Sequence, residues 1–482
     1  MKPVLIQNAD WIVAWDESAG CHRYVRNADV LFEKDRVSAI GPALGQAAPA
    51  EVDIVDGRNF MVMPGLVDIH SHLSHEPINK GYTDETGSPG LYNSNLYEFM
   101  PTMIGDDEAA PWQTRLACAE LLMSGVTTIV DMARPYPGWV DALAESGLRA
   151  YAAPMFRSAR WFTRNGHVVE YDWSEDRGFG AMSEALDLAD TAERHPSGRL
   201  SGMVVPAQID TCTPDLLRES YKEAASRGMR WQTHAAQSLP EFHEITRRHG
   251  VTPIQWLGEL GVLGESSLIG HSIFVDDHPN THWHTVTDIR LLAETGATVA
   301  HCPTVFMRRG MALCDVGRYL RAGVKVAIGT DTYPHNMIEE MRHVGYVARL
   351  MANSPHTVST REIFNAATIG GAASLGRSDI GRLAPGAKAD LVMVDMTHPS
   401  MQPSRDPIRS LVYAAADRAV HTVFVDGEKV VEGGRALRLD IDRAASEVTA
   451  GQLRAERAVP ERDLVAQRGA AEVSPLTFQF AD

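Results

Sequence analysis

The segment PGLVDIHSHLSH, residues 64–75, starts as an apolar run behind a Pro-Gly turn and ends with three histidines in six residues. Met61 to His72 reads as one strand buried on both faces, because short apolar runs bounded by Pro and Gly suit the inside of a parallel sheet. Side chains two apart in a strand point to one side, so His70 and His72 project together from its carboxyl end, where two imidazoles can share a cation. The spacing alone is weak evidence, since the chain holds 19 histidines and repeats it at His282 and His284.

Outward from this strand the chain alternates strand and helix. Apolar strands are expected at 127–132, 149–156, 201–208, 230–236, 267–273, 297–303 and 325–331, with helical segments such as APWQTRLACAELLMSG and DLLRESYKEAASRG between them. With the first, these make eight βα units, which specify a (β/α)8 TIM barrel over 64–380. A doubly wound sheet is the alternative, but no GxGxxG turn follows the first strand. Residues 1–63 read as short strands (Val4 to Ile6, Trp11 to Ala14, Asp29 to Phe32, Val37 to Ile40, Val52 to Val55). Strands return over 381–435, and such segments cannot cover their own apolar faces, so the two parts are expected to form one discontinuous β-sandwich. Residues 436–482 read as a helix from Asp440 to Arg457 followed by a loose or subunit-contacting arm.

Of the 482 residues, 44% are hydrophobic and 22% charged, and the net charge of −17 is spread without an acidic block. That disfavours nucleic acid and anionic membrane as partners and points to a soluble protein acting on a small molecule. Five scattered cysteines form no CxxC pair. A disulfide framework is not expected, and with a start that runs straight into strand pattern, a reducing cytoplasm is.

Functional residues of such barrels sit at the carboxyl ends of the strands. There the sequence places His70, His72, His234, His271, His301 and Asp331, a histidine-rich set with one carboxylate. Zinc prefers that mixture in catalytic sites, and Fe2+ is accommodated by the same donors.

PGLVDIHSHL, WQTHAAQ, LIGHSIFVDD, VAHCPTVFMRRG and IGTDTYPHNMIEEMR, in this order, resemble the motif series of the amidohydrolase superfamily, in its branch of cytosine and guanine deaminases and triazine hydrolases. GRLAPGAKADLVMVD is similar to the family's post-barrel strand. The resemblance implies that His70, His72, His234 and Asp331 bind one metal, that His271 contacts the activated water or the substrate, and that His301 lines the pocket. Two-metal members carry a fourth-strand lysine, which MVVPAQIDTC lacks, so one divalent ion is expected. The resemblance also implies a homodimer or larger homo-oligomer.

In the expected mechanism Asp331 takes a proton from metal-activated water and His271 orients that water. The branch's deaminases usually supply a glutamate three residues after the fifth-strand histidine, whereas this chain has Gln237. Glutamine hydrogen-bonds but cannot donate and recover a proton. Gln237 therefore stands in the catalytic set as a departure, with Glu241 and Glu76 as substitute acids. It favours an amide-like substrate (a urea, carbamate or anilide) that needs no ring protonation; the alternative is deamination or dehalogenation of a pyrimidine, purine or triazine ring. A catalytically dead scaffold is disfavoured because all four ligands are present. Asn95, Trp161 and Gln208 are expected substrate contacts, Phe306 and Met307 possible ones, and His278, His282 and His284 a solvated loop.

Overall fold

The computed structural model describes residues 2–46, 49, 51–478 and 480. Eight strands, Leu66–Ser71, Val126–Ala133, Arg149–Phe156, Leu200–Pro206, Arg230–Ala235, Ser267–His271, Thr298–His301 and Lys325–Ile328, each pair in parallel with the next, as expected for the barrel. Residues of seven of them (the pairs Val67 and Ile69, Val130 and Met132, Tyr151 and Ala153, Met203 and Val205, each two apart, and Leu268, Ala300 and Ala327) meet in one apolar cluster. The first and last strands both contribute to this cluster and meet at a bridge between Ser71 and Asp331, as in the interior of a closed barrel. The alternate residues, such as Ile129, Val204, Trp231 and Val299, pack outward against helix residues including Leu121, Leu217 and Phe242.

The run from Met61 to His72 is not one strand. Phe60–Pro64 belongs to the second sheet and Leu66–Ser71 to the barrel, divided at Gly65, whose N–H donates to the Asp390 carbonyl. The eighth strand stops at Ile328, and the barrel closes beyond it. There Asp331 N–H donates to the His70 carbonyl (2.8 Å), and His72 N–H donates to the Asp331 carbonyl (2.9 Å). Gly329 permits this approach, since a Cβ there would lie 2.5 Å from the His70 Cβ.

The second sheet has nine strands, mostly antiparallel, drawn from both ends of the chain. Its first two are longer than expected, Val4–Asp16 and Cys21–Glu33. Their pairing continues through a bulge between Ile6 and Ala9, where Asn8 has φ 61° and donates its N–H to the Asp29 carboxylate. Phe32 and Phe424 lie four strands apart, about 19 Å on a flat sheet. Their ring centroids are 5.3 Å apart, so the sheet folds over its own core, the sandwich-like closure that the sequence requires. Arg149, at the start of the third barrel strand, is buried against Asp390 (3.2 Å) and Asp426 (2.5 Å) and ties barrel to sheet.

The C-terminal arm is not loose. Asp440 caps the helix Ile441–Arg457, and Val459 and Val473 beyond it pack with Ile78, Tyr82, Phe99 and Met103 of the first βα loop. Burying these side chains covers apolar surface that the long loop cannot cover alone. Among the described residues no helix is long and apolar enough to cross a membrane.

Candidate active site

His70, His72, His234, His271 and Asp331 converge at the carboxyl rim of the barrel, although they arise from its first, fifth, sixth and eighth strands. His72 lies just past the end of its strand, where the ladder register shifts between Asp68 and Ser71. It still meets its partners: Asp331 Oδ1 is 3.4 Å from His72 Nε2 and 3.9 Å from His70 Nε2, and Oδ2 is 3.5 Å from His271 Nε2. His72 and His234 bring their Nε2 atoms to 3.3 Å. Gly270 leaves room for the His70 ring, whose Cε1 lies 2.5 Å from where a Cβ would be.

The opposite ring nitrogens are engaged by oxygen acceptors. His70 Nδ1 meets Gln232 Oε1 at 2.5 Å, His72 Nδ1 the Met132 carbonyl at 2.7 Å and His234 Nδ1 the Ala207 carbonyl at 2.6 Å. A proton on each Nδ1 satisfies these acceptors and leaves each Nε2 lone pair turned inward, the tautomer a metal ligand needs. His70 Nε2 is buried with no hydrogen-bond partner. Burial holds all three histidines below the usual imidazole range, His234 at about 4, and pushes the Asp331 carboxyl well up. Neutral imidazoles around an expensive buried carboxylate are a donor set that a divalent cation stabilises, since its charge restores the ionised carboxylate. The residues fit the expected metal.

Two groups of ligand atoms, each mutually within 4.8 Å, share His70: His70, His72 and His234, and His70, His271, Cys302 and Asp331. Cys302 follows His301 in VAHCP and carries no metal-binding signal in the sequence, which has no CxxC pair. Burial raises its thiol pKa well above the ordinary value, which disfavours the thiolate that metals bind. His301 is buried but does not line the cavity.

That cavity, of about 590 Å3, opens over the cluster. Asn95, Trp161, Gln208, Gln237 and Phe306 line it, whereas Met307 does not. Phe306 stands edge-on to His271, with centroids 4.6 Å apart. His75, the third histidine of the opening segment, lines the cavity against His72, and burial lowers its pKa to about 4. Of the substitute acids, Glu76 lines the cavity. Glu241 does not; its carboxylate accepts the Ala236 and Gln237 N–H groups at 2.6 and 3.1 Å, which makes it a loop support. Three exposed arginines, Arg134, Arg157 and Arg160, form the mouth. His278, His282 and His284 line none of it; His282 and His284 are exposed, but His278 is buried edge-on to Phe274 and is not solvated.

A donor set of this kind at the rim of a (β/α)8 barrel defines a metal-dependent hydrolase. Residues 61–430 match the profile of the amidohydrolase family, and the chain belongs to it. It is a hydrolase of carbon–nitrogen bonds. A 5-methylthioadenosine/S-adenosylhomocysteine deaminase of Natronomonas pharaonis is 33% identical over 421 residues, 86% of this chain and 91% of its own. Among solved structures, triazine hydrolase from Arthobacter aurescens superposes with a TM-score of 0.77 at 23% identity, over 94% of this chain and all (100%) of its own. An adenosine deaminase from Xanthomonas campestris with bound zinc gives 0.75 at 23% identity, over 94% and 98%.

Proposed function

We propose that the protein removes the exocyclic amino group of an adenine-like ring, with His70, His72, His234 and Asp331 holding one zinc ion. The observation that carries this reading is the convergence of those four side chains under one cavity, in a chain 33% identical to a relative named as a deaminase. A divalent cation in such a set supplies Lewis acidity and acidifies water. The Asp331 carboxylate accepts the proton released as water adds to the ring carbon, and later passes it to the departing amine. His271, with Nε2 3.5 Å from that carboxylate, is placed to hydrogen-bond the oxygen under formation. Trp161, Met155 and Phe306 offer apolar surface to a flat ring, and Asn95 and Gln208 offer polar contacts.

Gln237 on its own placed an amide-like substrate first. The deaminase relatives reverse that order, and ring deamination becomes the leading reading. The arginines at the mouth favour a substrate with an anionic group beyond the ring: among the described residues, Arg134 pairs only with exposed Asp107, at 3.5 Å. A carboxylate would satisfy their donors in bidentate fashion.

The test is release of ammonia from 5′-methylthioadenosine, adenosine and S-adenosylhomocysteine, set beside release of aniline from aryl ureas. The expected result is deamination abolished by a chelator and restored by zinc, with kcat/KM about tenfold or more higher for the carboxylate-bearing nucleoside. Hydrolysis of the ureas with the purines untouched would overturn the reading.

A further inference from the structure

Ring deamination requires that the nitrogen next to the attacked carbon be protonated as water adds. Gln237 cannot serve, and Glu241 is committed behind the cavity to two backbone N–H groups. Among the residues that line the cavity, only Glu76 and Asp331 carry a carboxyl group. Glu76 enters from the first βα loop, four residues beyond His72, and is 2% exposed. Arg309, a half-buried guanidinium, also lines the cavity, and its Nε has no partner among the described residues.

We propose, resting on the deaminase reading, that Glu76 is the catalytic residue that gives a proton to the ring nitrogen and takes one back, the task Gln237 cannot perform. Its protonation state supports this. Burial raises its pKa to about 7, while Arg309, Arg308 and Asn79 act in the opposite sense, and that rise is the direction a proton-donating carboxyl group needs.

The protons balance. As water adds, its oxygen bonds to the ring carbon, Asp331 takes one proton, and the Glu76 carboxyl donates its own to the ring nitrogen while the C=N pair moves onto that nitrogen. In the collapse, the Glu76 carboxylate takes the hydroxyl proton as the C=O forms, Asp331 protonates the amine, and the C–N bond breaks to release ammonia. The ring keeps its new N–H, and both carboxyl groups return to their starting states.

The test uses the full-length zinc-loaded protein and the ring compound identified by the panel above. Glu76→Gln is expected to lose about 10²- to 10⁴-fold in kcat, the usual worth of a general acid–base group, with zinc content unchanged. Adding Gln237→Glu to that variant is expected to recover about tenfold or more, because a carboxyl group returns to the cavity from another strand. A purely structural role for Glu76 would not be rescued this way. A second readout needs no turnover: the parent ring without its amino group can be hydrated but not deaminated, and hydration shifts its ultraviolet spectrum. The shift is expected with the unsubstituted protein and absent with Glu76→Gln. Glu76→Gln with turnover or hydration within about threefold of the parent overturns the role while leaving the deaminase reading intact. If Glu76→Gln loses zinc or fails to fold, Glu76→Asp replaces it. It is expected to move the pH profile of hydration, and an unmoved profile overturns the role. Should no ring compound react, the deaminase reading falls and this role falls with it.

Discussion

Gln232→Leu tests the donor set without touching a ligand. Gln232 is fully buried, accepts from His70 Nδ1 at 2.5 Å and donates from Nε2 to the Ile69 carbonyl at 3.1 Å. Leucine nearly matches its volume but removes both bonds. His70 must then bury an unpaired Nδ1–H or move its proton to Nε2, the nitrogen that faces the cation. Leaving a buried polar group unpaired costs about 1–3 kcal/mol. Losing the partner that orients a ligating histidine weakens metal binding about 10- to 100-fold, or roughly 1.4–2.8 kcal/mol, so the two estimates agree. The assay is equilibrium competition for zinc against a chromophoric chelator at fixed pH, which involves no substrate. Gln232→Glu keeps an acceptor and is expected to bind zinc at least as tightly as the parent. Thr233→Val alters the adjacent residue, whose buried Oγ1 has no partner, and is expected to leave affinity unchanged. A folded Gln232→Leu protein that binds zinc within about twofold of the parent would refute the tautomer argument.

Three further outcomes are expected. Asp331→Asn keeps the shape but loses the charge and the base, so kcat should fall about 10²- to 10⁴-fold and zinc stoichiometry should drop, checked by steady-state kinetics and metal analysis. Arg149→Met leaves the carboxylates of Asp390 and Asp426 facing each other without their shared cation and should cost about 3–5 kcal/mol in denaturant titration. Adding Asp390→Asn should recover part of that loss; if the single variant is as stable as the parent, the pairing does not tie the sheet to the barrel. His22 is packed edge-on to Trp15 and Phe364, and burial lowers its pKa to about 4. Between about 4 and 6.5 the unfolded chain binds the proton that the folded one refuses, so this group's contribution, on the order of 3 kcal/mol at most, is lost as the pH falls through that window. His22→Phe should flatten stability against pH there, and an unchanged slope would refute the assignment.

The barrel strands were legible because apolar runs alternate with amphipathic helices at the right spacing, and the rim histidines because each ends such a run. What the sequence could not resolve depends on three-dimensional choices. Glu241 and Glu76 are both glutamates near the clustered histidines, but one binds the backbone of Ala236 and Gln237 and the other lines the cavity. The adjacent pair His301 and Cys302 is similar: the strand ends at His301, yet it is Cys302 whose sulfur lies near His70 and Asp331. The tail's packing against Tyr82 and Phe99 was hidden because its apolar residues are few and far from their partners in sequence.

The site is also the seam of the barrel. The first and eighth strands meet through the bridge between Ser71 and Asp331 and through the backbone bonds of Asp331 with His70 and His72. Below the seam, the Asp68 carboxylate accepts the His70 and Thr330 N–H groups and the Thr330 hydroxyl. Burial pushes the Asp68 pKa to about 7, so its ionised form depends on these three donors. Three of the four proposed ligands thus hang from one hydrogen-bonded backbone junction, while His234 is held apart from it by its bridge to Gln208, just past the fourth strand. The positions of those three donors are set by closing the barrel, because the backbone bonds that join its first and last strands also fix the residues that carry them.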